Sequence, residues 1–186
     1  MRERAAKLVG DRAEGLTIST FHALGAKLLR MEARAIGLKP SFSILDASDT
    51  SALFNELLKD ADKTRVKLIQ QRISLWKNAL VGPEDASRIA ADDLEAGAAK
   101  VYAEYERTLH AYQAVDFDDL LLLTEQLLER HPSVRRAEAQ RFDHILVDEY
   151  QDTNALQYRI VRHLAAAHRN LCVVGDDDQS IYGWRG

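Results

Sequence analysis

Two apolar runs on either side of one helical segment constrain the fold of this 186-residue chain most strongly. His144–Val147 and Leu171–Val174 are short and apolar, which predicts two strands. The intervening segment, Thr153–Ala167, predicts a helix with Thr153 or Asn154 as its cap. Strand, helix, strand at this spacing predicts two parallel strands that are buried on both faces.

The segment before these runs is predicted to be mainly helical. Apolar spacing predicts a helix over Phe21–Ile36 that stops at Gly37, and four more helices between Asp46 and Glu138. The β-branched segment Leu16–Ser19 is predicted to be a strand of the same sheet as the two later strands. The fold class is therefore predicted to be α/β, a parallel sheet with a large helical module inserted in it.

The composition is that of an ordinary globular protein, with 46% hydrophobic and 29% charged residues. No run predicts a membrane span or a signal peptide. The single cysteine, Cys172, is predicted to be a buried thiol, which fits a reducing cytoplasm. A net charge of −4 argues against a protein that grips duplex DNA by bulk electrostatics, but single-strand binding needs only local basic and aromatic groups.

Two adjacent carboxylates, Asp148 and Glu149, follow the first apolar run directly. At the carboxyl end of a parallel strand, Asp148 is predicted to hold magnesium and Glu149 to orient or deprotonate a water. The alternative is that two acids merely begin a loop. The apolar residues directly before the pair and the sequence of residues 150–153 favour the functional interpretation. No phosphate-binding loop of the form Gly-x-x-x-x-Gly-Lys-Ser/Thr occurs in the chain.

A second group of polar and aromatic residues follows the second run, over residues 175–186. Gln179 suits a contact with a γ-phosphate, since its amide both donates and accepts hydrogen bonds. Tyr182 and Trp184 offer flat faces for base stacking, and Arg185 can pair with a phosphate. The alternative, a calcium-binding acid cluster, lacks the ligand spacing of an EF-hand loop.

Two shorter patterns are ambiguous by themselves. Thr20, Phe21 and His22 open a helix, where free N–H groups can bind a phosphate. A helix cap followed by a core Phe is the alternative. The segment 115–121 contains three aspartates near a helix start, a position where capping and the helix dipole alone enrich them.

Together these patterns resemble the UvrD/Rep/PcrA family of superfamily 1 DNA helicases, and they look nearest to its Rep branch. The resemblance covers essentially the whole chain. The order and spacing match in four segments: residues 20–25, 116–121, 148–154 and 174–186.

The resemblance implies a motor that uses ATP and Mg²⁺ to move 3′ to 5′ along single-stranded DNA and to unwind duplexes and forks during replication or repair. It implies that Asp148 and Glu149 serve magnesium and the catalytic water, and that Gln179 senses the γ-phosphate. It also implies a set of DNA-binding residues: Thr20, Phe21, His22, Tyr182, Trp184 and Arg185.

The implied organisation is a partial RecA-like P-loop NTPase motor subdomain 1A, residues 1–30 and 116–186, with an all-helical insertion, subdomain 1B, over residues 31–115. The family's P-loop would precede Met1 and its second motor subdomain would follow Gly186. We therefore expect an internal fragment that is catalytically inactive alone, from a bacterial cytoplasmic, nucleoid-associated protein.

Two other functions stay open from the sequence. One is a non-catalytic single-stranded DNA-binding or partner-docking module. The other is the motor part of a helicase–nuclease. The sequence does not indicate an oligomeric state.

Overall fold

A computed structural model describes residues 2–59, 61–176 and 178. Short 3₁₀ helices cover Gly10–Gly15, Ala33–Ile36 and Tyr150–Asp152. The α-helices are α1 Arg2–Val9, α2 Phe21–Met31, α3 Ala47–Leu57, α4 Lys63–Asn78, α5 Pro83–Ile89, α6 Asp93–Tyr112, α7 Asp119–Arg130, α8 Pro132–Ala139 and α9 Ala155–Ala165. The strands are β1 Ser43–Ile44, β2 Ala114–Val115, β3 Ile145–Val147 and β4 Leu171–Val173.

The predicted strand, helix, strand unit is confirmed. β3 and β4 are parallel, with Ile145 opposite Leu171 and Val147 opposite Val173, and α9 connects them. The cap of α9 is Asn154, whose side chain accepts a hydrogen bond from the backbone N–H of Gln157. The Gln157 side chain accepts one from the Asn154 backbone in return, forming a capping box that fixes where the helix begins.

The predicted strand over Leu16–Ser19 is wrong. Residues 16–20 have irregular backbone outside both sheets and lead directly into the cap of α2. β-branched residues favour extended backbone, but this preference alone does not place a segment in a sheet, and the sheet of the two later strands contains β3 and β4 among the described residues. Conversely, β1 and β2 form a two-residue parallel pair that no pattern predicted, because its hydrogen bonds join segments about 70 positions apart.

The expectation that the later strands are buried on both faces is also wrong. Val147 is buried, and Ile145 packs against the core beneath α7 and α9. However, Leu146 is 67% exposed and Val173 is 46% exposed. Cys172 is likewise exposed rather than a core thiol. Among the described residues the sheet has two strands, so its second face lacks the covering layer of a larger parallel sheet.

The first predicted helix is shorter than its apolar spacing suggests. α2 ends at Met31, and Glu32 leaves the helical region with φ −108° and ψ 20°. A 3₁₀ turn follows and ends at Gly37, whose φ of 75° lies in the left-handed region, so the predicted stop residue is confirmed.

Three buried clusters form the core. The first lies among α3, α4 and α6 and contains Phe54 stacked on Tyr105, with ring centroids 4.4 Å apart. The second joins α2 and β2 to one face of α7, and the third joins α9 to the other face of α7. α7 is therefore the central helix, with α2 packed on one face and α9 on the other.

Candidate functional site

The two predicted carboxylates lie at the carboxyl end of β3, where the sequence placed them. Asp148 and Glu149 are both exposed. Glu149 has a left-handed backbone, with φ 54° and ψ 43°, and begins the 3₁₀ turn Tyr150–Asp152. A non-glycine residue in this region is uncommon and stores strain, a feature that clusters at functional sites. We call residues 148–154 the carboxylate loop.

Backbone hydrogen bonds tie the carboxylate loop to the segment after β4. The Val174 N–H donates to the Val147 carbonyl at 2.8 Å, and the Tyr150 N–H donates to the Val174 carbonyl at 2.9 Å. The two strand ends therefore present their following residues at one edge of the sheet, as ligand sites of parallel sheets do.

Gln151 links the two segments through its side chain. Its Nε2 donates to Glu149 Oε2 at 2.7 Å, and its Oε1 accepts from the Asp176 N–H at 3.0 Å. A Cβ on Gly175 would lie 2.7 Å from Gln151 Oε1, so only glycine allows this approach. No role of Gln151 was predicted from the sequence, although an amide in a loop that follows a strand was an available signal.

The carboxylate pair has the chemistry of a magnesium site. Mg²⁺ is bound through one or two carboxylates together with waters and phosphate oxygens. Asp148 Oδ1 accepts the Glu149 N–H at 3.1 Å, which orients the carboxylate and leaves further lone pairs. Within the described part of the chain, neither carboxylate forms an ion pair with a Lys, Arg or His. A cation therefore fits here without displacing a cationic side chain.

A second group of potential metal ligands, Glu125, Glu129 and His163, lies between α7 and α9. His163 Nε2 is 3.3 Å from Glu129 Oε2. Arg159, however, donates to Glu125 Oε1 at 2.6 Å. Burial lowers the pKa of His163, with Glu125 and Glu129 acting in the opposite direction. Because a guanidinium already neutralises the buried Glu125, this group is explained as an ion pair between packed helices.

The remaining predicted site residues near the C-terminus lie outside the described residues. They are Gln179, Tyr182, Trp184 and Arg185. Asp148 and Glu149 lie beside the segment that directly precedes Gln179 in the chain. The positions of Gln179, Tyr182, Trp184 and Arg185 stay a prediction.

The helix-start residues have three different environments. The Thr20 side chain caps α2 by accepting from the Ala23 N–H at 3.2 Å, and Phe21 packs against the third core cluster. These contacts match the alternative of a cap followed by a core Phe. His22 instead stacks on Phe117, with ring centroids 3.9 Å apart and 20° between planes.

The His22–Phe117 pair is an aromatic surface that the sequence did not reveal. The Phe117 side chain is 58% exposed, although large apolar rings are usually buried. Burial lowers the pKa of His22, and Asp118 partly offsets this. The imidazole is therefore biased towards its neutral form, which stacks on an aromatic ring without desolvating a charge. A Phe among three aspartates at a helix start was the signal in the sequence that could have suggested it.

The aspartates of the same segment form a buried ion cluster. Lys77 is fully buried, and its Nζ lies 2.8 Å from Asp116 Oδ2, 2.7 Å from Asp119 Oδ1 and 2.8 Å from Glu106 Oε1. Asp116 and Asp119 also accept each other's backbone N–H groups at the start of α7, whereas Asp118, the cap residue of α7, forms no side-chain cap hydrogen bond. The ammonium additionally fastens the end of α4 to the start of α7.

Charge balance in the cluster shifts the pKa values of its members. Burial acts to lower the pKa of Lys77, but Asp119, Asp116 and Glu106 outweigh it and raise the value well above normal. Burial raises the pKa of Asp119 to about 8. Burial also acts to raise the pKa of Asp116, but Lys77 and hydrogen bonds lower it overall. The cluster therefore favours an ionised Asp116 beside the ammonium and disfavours ionisation of Asp119.

No helix in the described part of the chain is both long enough and apolar enough to cross a membrane.

Comparison with known proteins identifies the family. The UvrD/REP helicase N-terminal domain family matches residues 1–186. The ATP-dependent DNA helicase PcrA of Staphylococcus aureus is 45% identical over 190 residues, and PcrA of Staphylococcus epidermidis is 43% identical over 190 residues. Both alignments include 100% of this chain and 26% of the relative, so the chain spans about a quarter of their length. The chain belongs to the UvrD/Rep/PcrA helicase family, in its N-terminal domain.

Proposed function

We propose that this chain is part of an ATP-dependent helicase that moves 3′ to 5′ on single-stranded DNA and unwinds duplexes and forks. The observation that carries the proposal is the exposed carboxylate pair at the end of β3, held by Gln151 to the segment after β4. This arrangement belongs to a chain whose relatives are named ATP-dependent DNA helicases.

On the nucleotide side, Asp148 would hold Mg²⁺ and Glu149 would orient the attacking water. When ATP and Mg²⁺ are bound, the metal neutralises charge on the phosphates. The Gln151 amide keeps Glu149 in place, which supports the role of Glu149 in aligning a water or accepting its proton. Gln179 contacts the γ-phosphate from the segment after β4.

On the DNA side, the His22–Phe117 pair is a stacking surface. A single strand lying over Phe117 would place a base against the exposed ring, and aromatic stacking contributes roughly 1–3 kcal/mol per base. Thr20 and Phe21 orient His22 from the start of α2. Tyr182, Trp184 and Arg185 extend the DNA contacts, with Arg185 on a phosphate.

The same proposal assigns residues 1–30 and 116–186 to a RecA-like motor subdomain and residues 31–115 to a helical insertion. The first core cluster, which runs from Leu53 to Ala114, supports a helical unit with its own core. Phosphoryl transfer depends on a P-loop lysine that positions the phosphates. The isolated 186-residue chain is therefore expected to show no ATPase activity.

The DNA role is tested with the purified chain and a fluorescein-labelled oligo(dT), by anisotropy at increasing salt. Phe117→Ala is expected to weaken binding by about 5- to 150-fold, corresponding to the loss of one stacked base. Tyr112→Ala is the matched control, since Tyr112 is an exposed aromatic, 64% accessible, at the end of α6. Equal affinities for the two variants would contradict the proposed stacking surface. Robust DNA-stimulated ATP hydrolysis by the chain alone would contradict the expected inactivity.

A further inference from the structure

A short chain of side-chain hydrogen bonds connects the carboxylate loop to the aromatic pair. Asn154 Nδ2 donates to Asn78 Oδ1 at 3.0 Å, and Asn78 Nδ2 donates to Asp118 Oδ1 at 3.0 Å. All three side chains are partly buried. Asn78 is the last residue of α4, so a residue of the helical module joins two segments that lie 40 and 76 positions away.

Each end of this hydrogen-bonded chain is fixed to a candidate site. Asn154 is the final residue of the carboxylate loop and the cap of α9, where its Oδ1 accepts the Gln157 N–H at 3.0 Å. Asp118 directly follows Phe117, and its charge acts on the pKa of His22. A displacement at either end therefore alters the hydrogen bonds of Asn78.

The hydrogen bonds at position 78 use both the donor and the acceptor end of the Asn78 amide. The side chain accepts from Asn154 and donates to Asp118, and Nδ2 also donates to the Ser74 carbonyl at 2.9 Å. A carboxylate at this position would face Asp118 with like charge, and an apolar side chain would leave partly buried polar groups without partners, which is costly.

We propose that Asn78 is a positioning residue that couples the carboxylate loop to the His22–Phe117 pair through Asn154 and Asp118. The hydrogen bonds are a property of the fold, and the ligands at the two ends, a nucleotide with Mg²⁺ and single-stranded DNA, rest on the proposed function. Asn78 touches neither ligand in this assignment. It transmits a change in one segment to the other.

The coupling is measured without any ligand by NMR of the purified chain. The perturbation is Asn154→Ala, at the carboxylate-loop end, and the readout is the pKa and ring shifts of His22 together with the ring shifts of Phe117. We expect Asn154→Ala to move these signals in the wild-type background and to leave them unmoved in an Asn78→Ala background. Equal shifts in both backgrounds would overturn the proposal, because the effect would then bypass Asn78.

The same variants are then compared in oligo(dT) binding. Asn78→Ala is expected to weaken binding by about fivefold, within the range of couplings seen inside one hydrogen-bond network. Asn55→Ala is the matched control, since Asn55 Nδ2 donates to the Ser51 carbonyl at 2.7 Å and, like Asn78, lies in a helix of the module. An unchanged affinity of the Asn78→Ala variant for oligo(dT) would contradict the proposed coupling to the DNA-binding surface.

A swap of charge provides rescue and guards against a variant that merely fails to fold. Asn78→Asp places two carboxylates about 3 Å apart and is expected to weaken binding and to shift His22. In the double variant Asn78→Asp with Asp118→Asn, the carboxylate at position 78 can accept from both amides, and only the hydrogen bond to the Ser74 carbonyl is lost. Because Asp118→Asn itself removes the charge that acts on His22, the rescue is read from DNA affinity. Recovery of that affinity supports the proposal, and failure to recover it in a folded protein overturns the proposal.

Failure of the inference is distinguishable from failure of the proposed function. If the wild-type chain binds no oligonucleotide, the DNA role is wrong, and the NMR comparison still decides the coupling. If the wild type binds and the Asn78 variants match it in both readouts, the DNA role stands and the coupling is wrong.

Discussion

Replacing Lys77 with Met is expected to destabilise the protein far more than any change to a surface ion pair. The Nζ atom makes three contacts of 2.7–2.8 Å with carboxylates and is completely buried. Met fills a similar volume, so the main effect is to leave Asp116 and Asp119 buried without their cation. Breaking a buried ion pair by removing one partner costs about 3–5 kcal/mol.

The magnitude is read from urea unfolding, followed by circular dichroism and by the fluorescence of Trp76, which is buried in the same helix. A loss of about 3–5 kcal/mol corresponds to a fall of roughly 6–20 °C in Tm for a chain of this size. Arg72→Met is the matched control in α4, since Arg72 pairs with Glu95 at 3.1 Å but is 41% exposed. The control is expected to lose less than about 1 kcal/mol.

The pH dependence makes the test sharper. Without the ammonium, the two buried aspartates take up protons more readily, so the loss caused by Lys77→Met should be smaller at about pH 5 than at about pH 8. The reasoning would be refuted if Lys77→Met and Arg72→Met unfolded at the same urea concentration. It would also fail if the loss were independent of pH, since the carboxylates would then not be responsible.

Further expected outcomes concern helix packing and titration. Gly25→Ala should lower the free energy of unfolding in urea by about 1–3 kcal/mol, because the new Cβ would clash with the Leu120 carbonyl oxygen of α7. Gly97→Ala in α6 is the control and should be neutral or stabilising, because its Cβ meets only the end of a flexible side chain at 3.8 Å. Asp119 has its pKa raised by burial to about 8, so the folded state holds a proton that the unfolded state releases near pH 4, and stability should fall as pH rises through this window. Asp119→Asn should flatten that slope between about pH 5 and about pH 8, and an unaltered slope would contradict the assignment. Lys77 has a raised pKa, so its contribution should be complete below about pH 10.5 and lost as pH rises through the folded-state value.

Much of the local structure follows from short-range sequence signals. Asn154 was one of the two predicted cap candidates of α9, and Gly37 was the predicted stop of the first helix region, because both depend on residue types within a few positions. The parallel pair β3 and β4 was predicted from the order strand, helix, strand. The prediction failed at Leu16–Ser19 and at Cys172. Strand pairing and burial both depend on which other segment lies alongside, and no local pattern specifies that.

For the candidate site, the sequence by itself determined the chemistry and the tertiary structure determined the connections. An apolar strand that ends in two acids predicts a cation site at a sheet edge, wherever the rest of the chain lies. Only the folded structure shows that Gln151 bridges two strand ends and that His22 stacks on Phe117. It also shows that Asn78 joins the segments that carry these two features. The partners in these contacts lie up to 95 positions apart in the printed sequence. Side-chain contacts over such separations arise from the packing of α2, α4, α7 and α9, and that packing is decided by the whole core at once.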